Sequence, residues 1–280
     1  MTIRPGAVVV NCGSRLDWNA VRICDGANVS LAAPVDDGGM CYEANAIIPH
    51  LPWRETSQSE QSVLCASNNS APIAKVVRWK FNDNILAPLA GLRLHEITSQ
   101  EEANETMAGL RYKTAVASFI DRLKPWTNNP ESVRILGVSV KNPKLITVTA
   151  DPTKGLRLGL HLDSWDKLPL AQRTSARYCI NINLGLESRF FTFCNLPVPH
   201  MHELMGMPRN VVGTQIGREF FASNRNYPIV RLELAPHIAY IAPTDLLIHD
   251  ATTLDKKYPD ISIAVLGHFK LEALIEQSAL

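Results

Sequence analysis

A mainly β protein with flanking helices, a sandwich or barrel rather than an array of βαβ units, is what this 280-residue sequence predicts. Three observations carry the prediction. The second half holds short segments rich in β-branched and aromatic residues, separated by Pro, Gly, Asn and Asp. Several of them alternate polar and apolar residues with the period of a strand. Helical spacing is clearest in a single stretch, residues 98–123, so helices do not interleave with the strands as parallel sheets require.

Taken in order, Ala7-Val-Val-Val10 is a short buried strand. Residues 25–75, rich in Gly, Pro, Asn and Ser and poor in periodicity, are expected to be loops laid over the core. Residues 98–123 form one helix. Thr98 or Ser99 caps it, Glu101 and Glu102 suit its positive end, and Met107, Leu110, Ala115, Phe119 and Leu123 line one face. It is expected to pack outside the barrel. Residues 135–140 and 145–149 are expected to pair as a hairpin around Asn142-Pro143. Strands follow at 156–163, 177–183, 188–194, 229–234, 239–242, 246–249 and 261–266.

The segment 156–163 carries the chemistry. Leu156, Leu158, Leu160 and Leu162 alternate with Arg157, Gly159, His161 and Asp163, so a leucine face is expected to be buried against a polar face thinned by glycine. His161 and Asp163 project from the same side. With His249, at the end of the apolar stretch Leu246-Leu-Ile, they make a two-His-one-carboxylate set. Such a set holds a divalent iron on one side and leaves three positions open. His268 is the competing distal ligand. His200-Met-His202 has ligand-like spacing but follows Pro197-Val-Pro199 in an expected loop, and reads as a surface pair. Trp165, directly after the ligands, reads either as a pocket wall or as a packing anchor.

In ligand order, spacing and strand pattern, residues 134–269 resemble the iron(II)/2-oxoglutarate-dependent oxygenases. That resemblance implies a double-stranded β-helix of the jelly-roll, cupin-like kind, with 1–133 as N-terminal flanking and lid elements of one domain spanning 1–280. It implies His161, Asp163 and His249 as catalytic iron(II) ligands, with 2-oxoglutarate and O2 as co-substrates. One departure matters. Many members carry Arg-x-Ser about ten residues beyond the distal His, where this chain reads Asp260-Ile-Ser262. The co-substrate cation is therefore expected elsewhere, at Arg177 first and at Arg189 or Arg231 next, with Asn181 and Ser262 beside it. A guanidinium suits a carboxylate because it donates two parallel hydrogen bonds. Hydroxylation of an unactivated C–H bond is the default outcome; the presence of Asp163 argues against halogenation. The polar face formed by Arg157, Asn181 and Asn183 suggests a small polar substrate, such as an amino acid or a natural-product intermediate.

Composition narrows the partners. A formal net charge of +1 offers no electrostatic basis for binding nucleic acid or an anionic membrane. No apolar run suits a membrane span or a secretion signal. Six cysteines without paired spacing read as reduced thiols of a cytoplasmic protein. The absent Arg after His249 keeps a second class open: a cupin-type metal protein acting as isomerase, as 2-oxoglutarate-independent dioxygenase, or as a binding module.

Overall fold

The computed structural model describes residues 2–30, 35, 39–65 and 73–277. Its strands are β1 (Ala7–Asn11), β2 (Val21–Cys24), β3 (Ala27–Val29), β4 (Tyr42–Pro49), β5 (Arg54–Glu55), β6 (Ala74–Lys80), β7 (Arg134–Lys141), β8 (Ala150–Asp151), β9 (Leu156–Gly159), β10 (Tyr178–Asn183), β11 (Arg189–Phe193), β12 (Ile229–Leu234), β13 (Ile238–Ala242), β14 (His249–Thr252) and β15 (Asp260–Gly267). The helices are α1 (Gln58–Leu64), α2 (Asp83–Ala90), α3 (Gln100–Ala108), α4 (Leu110–Leu123), α5 (Val198–Leu204), α6 (Thr214–Ser223) and α7 (Leu271–Gln277).

Strand order gives the fold its identity. The six-stranded sheet runs β1-β6-β13-β10-β15-β7 and the five-stranded sheet β14-β11-β12-β2-β5. β9, continued by an antiparallel bridge from His161 to His249, reaches β14. From β7 onward the chain thus weaves two four-stranded layers, β7-β15-β10-β13 and β9-β14-β11-β12, passing from one to the other at every step but β11 to β12. That is the double-stranded β-helix, a jelly roll. The four-stranded sheet β3-β4-β9-β8 lies beside it.

Alternation within each strand sorts side chains between the layers. Phe191 and Phe193 of β11, Val230, Leu232 and Leu234 of β12, and Ile238, Tyr240 and Ala242 of β13 fill the space between the sheets. Ile180, Ile182, Ile261, Ile263 and Val265 point the other way and bury against Leu86, Leu89, Phe119 and Leu123 of α2 and α4. On the opposite outer face Ile229 and Cys194 meet Met201, Phe220 and Phe221 of α5 and α6. Both sheets are therefore covered by helices, as a mainly β protein with long apolar strands requires.

Several expectations are corrected. The helix over 98–123 is two helices, because Gly109 takes an extended conformation (φ −69°, ψ 148°) and serves both ends. The cap is Ser99, whose side chain accepts from Glu102 N. The break lets α3 shield the edge strand β7: the Gln100 amide accepts from Val140 N and donates to Val138 O, at 2.9 and 3.1 Å. Residues 25–75 are not simply loops. They supply β3, β4, β5, α1 and the start of β6, although 31–34, 36–38 and 66–72 lie outside the described residues. Their alternation is short and interrupted by turn residues, so periodicity was too weak to show them. From before residue 134, β1 and β6 extend one sheet of the β-helix and β2 and β5 the other.

The hairpin around Asn142-Pro143 does not form. β7 pairs with the eight-residue β15 instead, and residues 145–149 run extended, tied down by Leu145 N to Thr253 Oγ1 (3.0 Å) and Thr252 Oγ1 to Leu145 O (2.9 Å). The expected strand 246–249 is a turn after Pro243, and β14 begins at His249. On β9 the polar face is the buried one: Arg157 is buried while Leu156 and Leu158 are half-exposed.

Candidate metal centre

Gly159 sets the geometry of the centre. Its φ is +73°, and a Cβ there would sit 2.7 Å from the Ile47 carbonyl oxygen, so only glycine fits without displacement. The turn it allows brings Leu160 N onto Ile47 O (2.8 Å) and then pairs His161 with His249 through both backbone bonds, at 2.9 and 2.8 Å. Directly opposed across an antiparallel bridge, the two imidazoles face each other with centroids 5.0 Å apart. Asp163, two residues on, returns to the same side.

The three groups converge. Asp163 Oδ1 lies 3.6 Å from His161 Nε2 and Asp163 Oδ2 lies 3.5 Å from His249 Nε2. One ligand atom from each residue falls within 4.8 Å of the others, and among the described residues no other group of three or more His, Cys, Asp or Glu does so. Adjacent ligand atoms around a small octahedral ion lie about 3 Å apart, so small side-chain rotations close this set onto one. Each imidazole uses Nδ1 toward a backbone carbonyl, Gly159 O at 3.0 Å and Leu247 O at 2.9 Å. That contact favours Nδ1 as the donor in the neutral imidazole and turns Nε2 toward the centre, where a bound metal would take the place of any second proton.

Electrostatics agree with a site built for positive charge. Burial opposes ionisation of Asp163, yet His249 and His161 outweigh it and hold the carboxyl below the usual carboxylate range. Burial also disfavours a charged His161, but Asp163 and Asp250 overcome it and raise the imidazole to about 9. His249 is pushed down by burial. Two histidines and a carboxylate, one of them bordering the neighbouring cavity, fit a divalent iron that takes further ligands.

That cavity, of about 110 Å³, lies between the two sheets and is bounded by His249. Asn181 and Ser262 line it. Arg177 does not. Its guanidinium lies against Asp166, with Nε and an outer nitrogen each 2.7 Å from Oδ1, and its backbone N–H donates to Oδ2. Arg177 precedes β10 and is engaged by the segment following Asp163, so it cannot serve the cavity. Arg231 is also ruled out: β12 points it to the outer face, over Phe190 and toward Asp255.

Arg189, the second choice, is in the cavity wall and buried. It hydrogen-bonds Asn181 Oδ1 and pairs with Asp260 at 3.3 Å, while Lys256 Nζ approaches the other Asp260 oxygen at 3.2 Å. Asp260, which stands where the oxygenase pattern has Arg, is thereby neutralised and orients Arg189. Lys141 of β7 lines the same cavity, and its ammonium has no hydrogen-bond or ion-pair partner among the described residues. Burial lowers its pKa, against the pull of Asp250. Sequence reasoning passed over Lys141. The signal was present, since Gly137, Ser139 and Lys141 form the polar parity of a strand whose Val138 and Val140 face the helices.

The remaining candidates fall elsewhere. Asn183 is fully buried and spends its amide on Glu187 O and Leu234 O. Arg157 donates to Val148 O. His268 sits beyond β15 at the far end, where its carbonyl accepts from Asn128 and Thr127. His200 and His202 lie on α5 rather than in a loop. All six cysteines are free thiols, and among the described residues no helix is long and apolar enough to cross a membrane.

No protein-family model and no curated protein sequence matches the chain. Among solved structures it is similar to the apo form of the Kdo hydroxylase KdoO, described as a non-heme Fe(II) alphaketoglutarate dependent dioxygenase. The TM-score is 0.39 at 14% identity, covering 73% of this chain and 82% of that one. The form of KdoO in complex with succinate and Fe(III) aligns with a TM-score of 0.38 at 13% identity over the same shares.

Proposed function

We propose that this chain is a non-haem iron(II)- and 2-oxoglutarate-dependent oxygenase that hydroxylates a C–H bond of a small polar substrate, such as an amino acid or a natural-product intermediate, in a reducing, cytoplasmic setting. One observation carries the reading: His249 of the convergent His161–Asp163–His249 set also lines an interior cavity whose wall holds two cations, Lys141 and Arg189. His161, Asp163 and His249 would hold iron(II) through Nε2, a carboxylate oxygen and Nε2. Lys141 and Arg189 would bind the free carboxylate of 2-oxoglutarate, with Asn181, Ser262 and Tyr240 as hydrogen-bonding neighbours. Burial pushes the Tyr240 phenol well up, so it stays a neutral donor. Phe191, stacked on Tyr240 at 3.9 Å between centroids, excludes water from that side.

The bound metal, with O2 and 2-oxoglutarate, supplies the oxidising power: one oxygen atom enters the C–H bond, and the keto acid leaves as succinate and CO2. The protein's own part is ligand geometry, orientation of the dianion and a dry wall. A cupin-type isomerase or binding module does not call for two cations in the wall of a cavity beside its metal, and the presence of Lys141 and Arg189 there favours the oxygenase.

Incubation with iron(II), O2 and 2-oxoglutarate against a panel of amino acids tests the proposal. Succinate should form in step with a hydroxylated product. Failure of 2-oxoglutarate to bind the metal-loaded protein by calorimetry, with no succinate on any substrate, would return the reading to the cupin class.

A further inference from the structure

Trp165 lies two residues after Asp163 and remains 42% exposed, too open for a packing anchor. Its indole Nε1 nevertheless donates to Asp163 Oδ2 at 2.7 Å. The backbone that presents the indole is fixed from beneath. Trp165 N and Asp166 N donate to the two carboxylate oxygens of buried Asp245, at 3.1 and 3.3 Å. Buried Arg173 donates to the carbonyls of Asp163 and Asp245, at 3.1 and 2.7 Å, and Arg177 holds Asp166. The indole therefore reaches the carboxylate from a rigid strap.

We propose that Trp165 is a positioning residue for the metal carboxylate, its N–H holding Oδ2 so that Asp163 ligates through Oδ1 alone. This deepens, and rests on, the metal site proposed above. A carboxylate free to turn would present both oxygens and take up a fourth position on the metal; one oxygen held by an outside donor cannot. Partners that orient metal ligands in this way typically govern metal affinity by 10- to 100-fold. The N–H is the operative group, and the exposed ring is incidental to it. The same reading gives the 163–177 strap its purpose: Asp245, Arg173 and the Asp166–Arg177 pair hold the donor in place, Arg173 reaching Asp163 at its backbone carbonyl rather than its carboxylate.

Two substitutions separate the N–H from the ring. Trp165→Phe keeps an aromatic ring and removes the donor, whereas Trp165→Gln keeps an N–H at comparable reach and removes the ring. Metal-free wild type and variants are titrated with Co(II) alone, without O2 or co-substrate, following visible absorption and intrinsic fluorescence. W165F should bind Co(II) about tenfold more weakly, with an altered visible band, at an unchanged unfolding midpoint of the metal-free protein. W165Q should recover most of the affinity. Equal losses in both variants, wild-type affinity and spectrum in W165F, or a lowered midpoint in metal-free W165F would each overturn the positioning role. A wild type that takes up no Co(II) would instead overturn the metal centre itself, and the positioning role with it.

Discussion

Lys141→Met removes a charge from the cavity and leaves a side chain of similar length. In the protein without co-substrate the ammonium has no hydrogen-bond or ion-pair partner among the described residues, and burial lowers its pKa from the usual 10.5. A lysine held below its unfolded value costs stability while it is charged, and the cost fades as pH rises through the folded value toward 10.5. The metal-free variant should therefore be as stable as wild type at neutral pH, or more stable by up to about 1 kcal/mol. Binding of 2-oxoglutarate should move the other way. Losing one hydrogen bond between charged groups removes about 1.5–3 kcal/mol, a 10- to 150-fold rise in Kd. Denaturant unfolding of the metal-free protein and calorimetry of 2-oxoglutarate against the Co(II)-loaded protein measure the two halves. Unchanged co-substrate affinity would refute Lys141 as an anchor, and a destabilised variant would refute the unpartnered ammonium.

Replacing His161, Asp163 or His249 by Ala should abolish stoichiometric metal binding in equilibrium dialysis, whereas His268→Ala should leave it intact; the reverse for His249 and His268 would displace the distal ligand. Gly159→Ala forces a side chain into φ +73° against the Ile47 carbonyl. Strain of this kind costs about 1–3 kcal/mol, so the unfolding midpoint and metal affinity should fall together, because His161 is the second residue beyond the turn. Glu60, whose carboxyl is lowered to about 2 chiefly by its hydrogen bond with Arg54, ties α1 to β5. Such a group stabilises the fold above its unfolded value near 4.5 and loses that contribution as pH falls toward 2. With Arg54 partly exposed and the pair screened, Glu60→Gln should cost roughly 1–2 kcal/mol at pH 7 and almost nothing below about pH 2 in acid-titrated unfolding.

The amino-acid pattern by itself determined the β class, the position of most strands after residue 176, and the convergent set of His161, Asp163 and His249. Those features are local. Alternation in Tyr178–Asn183 or Ile229–Leu234 reports which face is buried, and His-x-Asp on an extended segment puts two ligands on one side whatever the rest of the chain does. Tertiary structure decided everything that depends on which strands become neighbours. The pairing of β7 with β15 rather than with residues 145–149 brought Lys141 opposite Asp260 and into the cavity. Asp260, a discouraging residue when read alone, became the partner that orients Arg189 once β11 and β15 faced each other across the sheets. Arg177 was an attractive anchor by spacing, but the turn after Asp163 gave it Asp166 first. A residue's charge is written in the sequence. Whether that charge is spent on a neighbour or left for a ligand depends on contacts between segments distant along the chain, and only the folded protein sets those.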